Sequence, residues 1–117
     1  MTRQALTDGS GKWFDDDTAV VFGEATWFNG HNMISRATGS QWEHQALYYT
    51  TSGNWVLNCW SQRQDIPETY TVVCEAEAVA WLIQNEHHEA DAQSKFSDAM
   101  PADVLARVQS GIAEAEL

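Results

Sequence analysis

Residues 42–62, WEHQALYYTTSGNWVLNCWSQ, decide the fold. Two runs rich in Trp, Tyr, Val and Leu flank the polar turn Ser52-Gly53-Asn54, the pattern of two strands joined in a hairpin. In the second run Trp55, Leu57 and Cys59 alternate with Val56, Asn58 and Trp60, so one set faces one side of a sheet and the mixed set the other. A turn centred on Gly53 pairs residues whose numbers sum to about 106. That sets His44 opposite Gln62 and Ala46 opposite Trp60, with Cys59 near Leu47.

Upstream, TAVVFGEATWF (18–28) reads as a strand with Gly23 as a bulge, preceded by the acidic turn Asp15-Asp16-Asp17. Asn29-Gly30 then predicts a tight hairpin into a short, weakly strand-like segment, HNMISRATG. Downstream, Asp65-Ile66-Pro67-Glu68 is a turn and TYTVV (69–73) a fifth strand. The period changes at Glu75: EAEAVAWLIQNEH has helix formers throughout, acids in its first turn, and Val79, Leu82 and Ile83 on one face. A last helix lies in SDAMPADVLARVQSGIAEAEL, with Ser97 or Asp98 as cap, Pro101 in the first turn and an apolar stripe of Val104, Leu105, Val108 and Ile112.

The order of elements predicts an α+β fold, a four- or five-stranded antiparallel meander followed by two C-terminal helices packed on one sheet face. Residues 1–12 read as a flexible leader and 13–117 as a single domain, since 117 residues leave room for one core. An apolar content of 44% with six Trp is that of a chain that packs. The sheet would have open edges and aromatics on both faces, which leaves room for a homodimer. Tyr48, Trp55 and Trp60 are therefore expected in the core or at an interface.

Charge narrows the partners. The net charge is −11, and residues 65–117 hold eleven acids against Lys95 and Arg107 alone. Such a field repels nucleic acid and anionic membranes and admits a basic protein partner. No apolar run approaches the roughly 20 residues of a membrane span, and the N-terminus lacks an apolar signal region, so a cytoplasmic protein is expected. Cys59 and Cys74 fit small buried side chains better than a disulfide.

Motifs for chemistry are few. GxGxxG, GxxxxGK[ST] and GxSxG are all absent, which removes phosphate-cradling loops and a nucleophile elbow. His87, His88, Glu89 and Asp91 fit no standard metal spacing, so no metal and no cofactor is expected. No catalytic residue is assigned either: Cys59 with His44 and Glu43 would make a nucleophile and base, but the expected register keeps Cys59 from His44. What remains is a rim at one end of the hairpin, where His31, Trp42, Glu43, His44, Gln62 and Arg63 would set polar handles around an aromatic wall.

The strings WFNGHNMISRATGSQWEH (27–44), LYYTTSGNWVLNCWSQRQ (47–64) and TYTVVCEAEAVAWLIQNEH (69–87) resemble a group of short uncharacterised bacterial proteins that travel with mobile DNA such as prophages, plasmids and gene cassettes. The resemblance implies no catalytic residue. It implies a protein that acts by occupying another one, as inhibitors, antitoxins, immunity proteins and DNA mimics do. Two readings follow: a non-enzymatic acidic interaction module, or a small-ligand binder or simple enzyme using the rim.

Overall fold

The computed structural model describes residues 3–63, 65–85 and 102–117. Among these residues eight strands precede two helices: β1 (Arg3–Ala5), β2 (Trp13–Asp15), β3 (Val20–Gly23), β4 (Thr26–Phe28), β5 (Met33–Ser35), β6 (Glu43–Tyr49), β7 (Trp55–Ser61), β8 (Thr69–Val73), α1 (Glu75–Gln84) and α2 (Ala102–Glu114). The arrangement is α+β, as the sequence predicts. A four-stranded antiparallel sheet, in the order β3-β6-β7-β8, is its centre, and β1-β2 and β4-β5 form two separate two-stranded ribbons.

One face of the central sheet carries Val20, Phe22, Leu47, Tyr49, Trp55 and Leu57, and both helices pack on it. Leu47, Leu82 and Val108 are fully buried there, each worth about 1.5–3 kcal/mol against leaving it in water. The predicted stripe of α2 holds, with Val104 and Val108 buried and Leu105 and Ile112 half-buried. The expected caps of α2 and the group His87, His88, Glu89 and Asp91 lie outside the described residues. The two helices approach closely at Gly111, where a Cβ would stand 3.3 Å from Val79 Cγ1.

Four expectations are corrected. First, the β6–β7 hairpin pairs Glu43 with Ser61, His44 with Trp60, Ala46 with Asn58 and Tyr49 with Trp55, one residue off the assumed turn centre. The reason is the loop chemistry: Thr50 N–H donates to Asn54 O at 2.9 Å, Asn54 N–H donates back to Thr50 Oγ1 at 3.0 Å, and Gly53 takes a positive φ of 89°. The loop is thus centred on Ser52. Cys59 consequently faces Gln45, not Leu47.

Second, the single strand expected over 18–28 is two strands, β3 and β4, broken at Glu24-Ala25. Glu24 turns its carboxylate back onto β6, and Ala25 N–H donates 3.1 Å to Asn85 Oδ1 at the end of α1, so the chain leaves the sheet there. Third, Asn29-Gly30 begins a four-residue loop, because Phe28 pairs with Met33. Asn29 Oδ1 accepts the N–H groups of His31 and Asn32, which closes that loop.

Fourth, the segment read as a loose leader is partly paired. Arg3–Ala5 zips onto Trp13–Asp15, and Thr7 exchanges hydrogen bonds with the backbone of Tyr70 on β8. This ribbon lays Phe14 on the second sheet face, 5.2 Å from the Tyr48 ring and 6.0 Å from that of Tyr70. The ribbon thus covers the part of that face around Tyr48 and Tyr70.

Candidate functional site

The polar residues at the open end of the β6–β7 hairpin arise from strand alternation. Odd residues of β6 point to the helices and even residues to the other face, so Gln45 meets Trp81, whose Nε1–H donates 3.0 Å to Gln45 Oε1. Gln45 Nε2 in turn donates 3.4 Å to Cys59 Sγ. His44 lies on the opposite face, stacked on its cross-strand partner Trp60 with ring centroids 5.7 Å apart. Cys59 and His44 are thus separated by the sheet itself. Cys59 and His44 therefore form no nucleophile–base pair with each other.

The partner of His44 is Glu24. Its Oε2 sits 2.9 Å from His44 Nδ1, and its Oε1 accepts the backbone N–H of Gln45 at 2.6 Å. A carboxylate only accepts, so the proton of this bond rides on Nδ1. Such a carboxylate–imidazole pair is the geometry that orients a base or a metal ligand, with Nε2 as the working atom. Here His44 Nε2 is buried without a hydrogen-bond partner, so it is closed to a substrate. The pair ties the end of β3 to β6.

Of the residues expected at the rim, Trp42, Glu43, His44, Gln62 and Arg63 do share one end of the hairpin, where Gln62 N–H extends the ladder to Trp42 O at 2.9 Å. Trp42, Glu43, Gln62 and Arg63 are exposed and His44 half-buried. Glu43 and Arg63 make no ion pair with each other; Arg63 N–H instead donates to Ser61 Oγ, and Glu43 O accepts from Thr38 Oγ1. His31 stands apart, exposed in the loop of the β4–β5 ribbon. A cavity of about 240 Å³ at this end is bounded by Thr38, Glu43, Gln45, Cys59, Ile66 and Pro67, among others.

Of the residues offered for an interface, Trp55 is only 4% exposed and packs between Tyr49 and Phe22, inside the core. Tyr48 lies under Phe14, and Trp60 is half-buried on His44. The second face also holds Asn58, which donates to Glu68 Oε2 at 3.2 Å and to Thr69 O at 3.1 Å. Burial, and next the nearby Glu68 carboxylate, push the Tyr70 hydroxyl up to about 12; burial likewise raises Tyr48.

Two surfaces were missed by reasoning from the sequence. The β4–β5 ribbon exposes Trp27 (43%), Phe28 (63%) and Met33 (52%). Cross-strand pairing puts Phe28 beside Met33 on one face and Trp27 beside Ile34 on the other. The second surface is a trough between α1 and α2. The acidic turn after β2 brings the carboxylates of Asp15, Asp16 and Asp17 within 4.8 Å of one another, a grouping an exposed acidic turn produces without an ion. Among the described residues no helix is long and apolar enough to cross a membrane. No protein-family model, curated protein or solved structure matches this chain.

Proposed function

We propose that the protein is a non-enzymatic, acidic protein-interaction module of a mobile element, acting by occupying another protein as inhibitors, antitoxins, immunity proteins and DNA mimics do. The observation that carries this reading is the β4–β5 ribbon. Among the described residues it pairs with no other strand, yet it presents three large apolar side chains to solvent. Isolated exposed apolar residues are ordinary, but several on one short ribbon mark a contact surface. The net charge of −11 keeps such a chain soluble and directs it toward basic partners.

The test is affinity capture from a bacterial lysate at low salt with the wild-type chain and with Phe28→Ser/Met33→Ser. Proteins retained by the wild type and lost by the double variant support the reading. An empty capture, or one that the variant leaves unchanged, refutes it. A homodimer through the same ribbon would appear as a doubled mass in light scattering that the variant halves.

The second reading, a small ligand at the rim, has the cavity beside Glu43 in its favour. At about 240 Å³ it falls below the ~300–1,000 Å³ of typical ligand pockets. A metabolite that raises the melting temperature and changes the fluorescence of exposed Trp42 would revive it.

A further inference from the structure

We propose that the trough between α1 and α2 seats a basic amphipathic helix contributed by another protein; this rests on the interaction-module reading and names a partner class for it. The trough exists because the helices touch at Val79 and Gly111 and part toward solvent, leaving a concavity of about 720 Å³. Its lining is largely short and apolar: Ala76, Val79, Ala80, Ile83, Ala106 and Ala115. Ala76, Ala80 and Ala106 are exposed, so they form a low floor that a third helix can approach closely. The 13 residues of α2 span roughly 20 Å, enough to hold apolar anchors spaced i, i+3/i+4, i+7 on an incoming helix.

Charge selects the occupant. Glu75 and Glu114 line the trough with Arg107, and the same helices and the short tail after α2 add Glu77, Asp103 and Glu116 around it, so five acids stand against one base. Arg107 is already held by Glu75 and Asp103, each at 3.5 Å, so it offers little to an anion. A second copy of the chain would bring the same acids to the same place and be repelled, as would a nucleic acid or an anionic membrane. A helix with a Leu or Ile stripe flanked by Lys and Arg matches both the apolar floor and the net negative charge of the surrounding helices.

The experiment measures fluorescence anisotropy of a labelled Leu/Lys amphipathic peptide of about four helical turns, with a Leu/Glu peptide of the same pattern as its charge-reversed counterpart. Ala80→Arg fills the trough and offsets one of its negative charges; Val72→Arg adds an equal charge on the other sheet face. The expected result is binding of the Leu/Lys peptide, weakened about tenfold or more by Ala80→Arg and about twofold or less by Val72→Arg, with no binding of the Leu/Glu peptide. Absence of Leu/Lys binding, equal weakening by the two arginines, or equal binding of both peptides would each overturn the proposal. If circular dichroism shows Ala80→Arg misfolded, Ala106→Arg carries the same comparison. The ribbon variant Phe28→Ser/Met33→Ser should keep full peptide affinity. If the peptide fails to bind while that variant still loses captured proteins, the trough assignment falls and the interaction-module reading stands; loss of the latter alone leaves the reverse.

Discussion

Replacing Glu24 with alanine should strongly destabilise the junction between β3 and β6. The carboxylate accepts His44 Nδ1–H at 2.9 Å and Gln45 N–H at 2.6 Å, with the side chains of His44 and Glu24 only 19% and 10% exposed. A hydrogen bond to a charged acceptor contributes about 1.5–3 kcal/mol, and a buried N–H left without an acceptor costs about 1–3 kcal/mol. The two figures overlap for the Gln45 bond, so the expected loss is about 3–5 kcal/mol. Glu24→Gln should lose roughly half as much, because the amide oxygen still accepts from Gln45 N–H. Its NH2 then faces Nδ1, which must release its proton to the buried Nε2. Urea denaturation followed by Trp fluorescence measures both, and by melting the alanine variant should fall about 4 °C per kcal/mol for a domain of this size. A loss below about 1 kcal/mol for Glu24→Ala would show that solvent replaces the bonds freely. Equal losses for the two variants would show that the Gln45 bond contributes nothing; either result refutes the reasoning.

Three further outcomes are expected. Asn85→Ala removes the acceptor of Ala25 N–H and the donor to Trp81 O, at 3.1 and 2.9 Å, and should cost about 2–3 kcal/mol with faster hydrogen exchange at Ala25; an unchanged exchange rate would count against the clasp. Gly111→Ala gains about 1 kcal/mol of helix propensity but sets a Cβ 3.3 Å from Val79 Cγ1, so it should destabilise the wild type and stabilise a Val79→Ala background; stabilisation in both would mean the helices simply move apart. Tyr70 should ionise near 12 by ultraviolet titration. Its folded value lies above the ~10 of an unfolded tyrosine, so its contribution is intact below pH ~10 and declines as pH rises toward 12, a decline that Tyr70→Phe should remove.

The parts of the fold legible in the sequence are those set by local period and chemistry. TYTVV is β8 with the expected bounds, the EAEAVAWLIQ run is α1, and the alternation of Trp55 to Trp60 assigns both faces of β7 correctly. The hairpin register was not legible to the residue. Shifting the turn centre from Gly53 to Ser52 moves each partner by two places and keeps every side chain on its face, so no hydrophobic pattern distinguishes the two. Thr50 decides it, through a side-chain bond that only the folded loop displays.

Long-range pairings were hidden for a related reason. Glu24 meets His44 across 20 positions and Asn85 meets Ala25 across 60, and nothing in either neighbourhood announces the other. The one available signal was Glu24 itself, a carboxylate inside the apolar run VVFGEATWF, where an acid is costly without partners. For the rim, five of six residues do gather at one strand end because they adjoin the same hairpin. The sixth, His31, went elsewhere once β4 and β5 paired with each other instead of with β6.

The Thr7 contact with Tyr70 bears on how the chain behaves when its N-terminus is damaged. Thr69–Val73 combines high strand propensity with no charge, and it is the last strand of the central sheet. An uncovered strand of that composition is a template on which like segments stack into cross-β aggregates. Thr7 sits on Tyr70 N–H at 2.8 Å and on its carbonyl at 2.8 Å, and so works as a stopper against such growth. A proteolytic cut within residues 3–12 would then reveal itself first as slow fibril formation by a chain that is otherwise still folded.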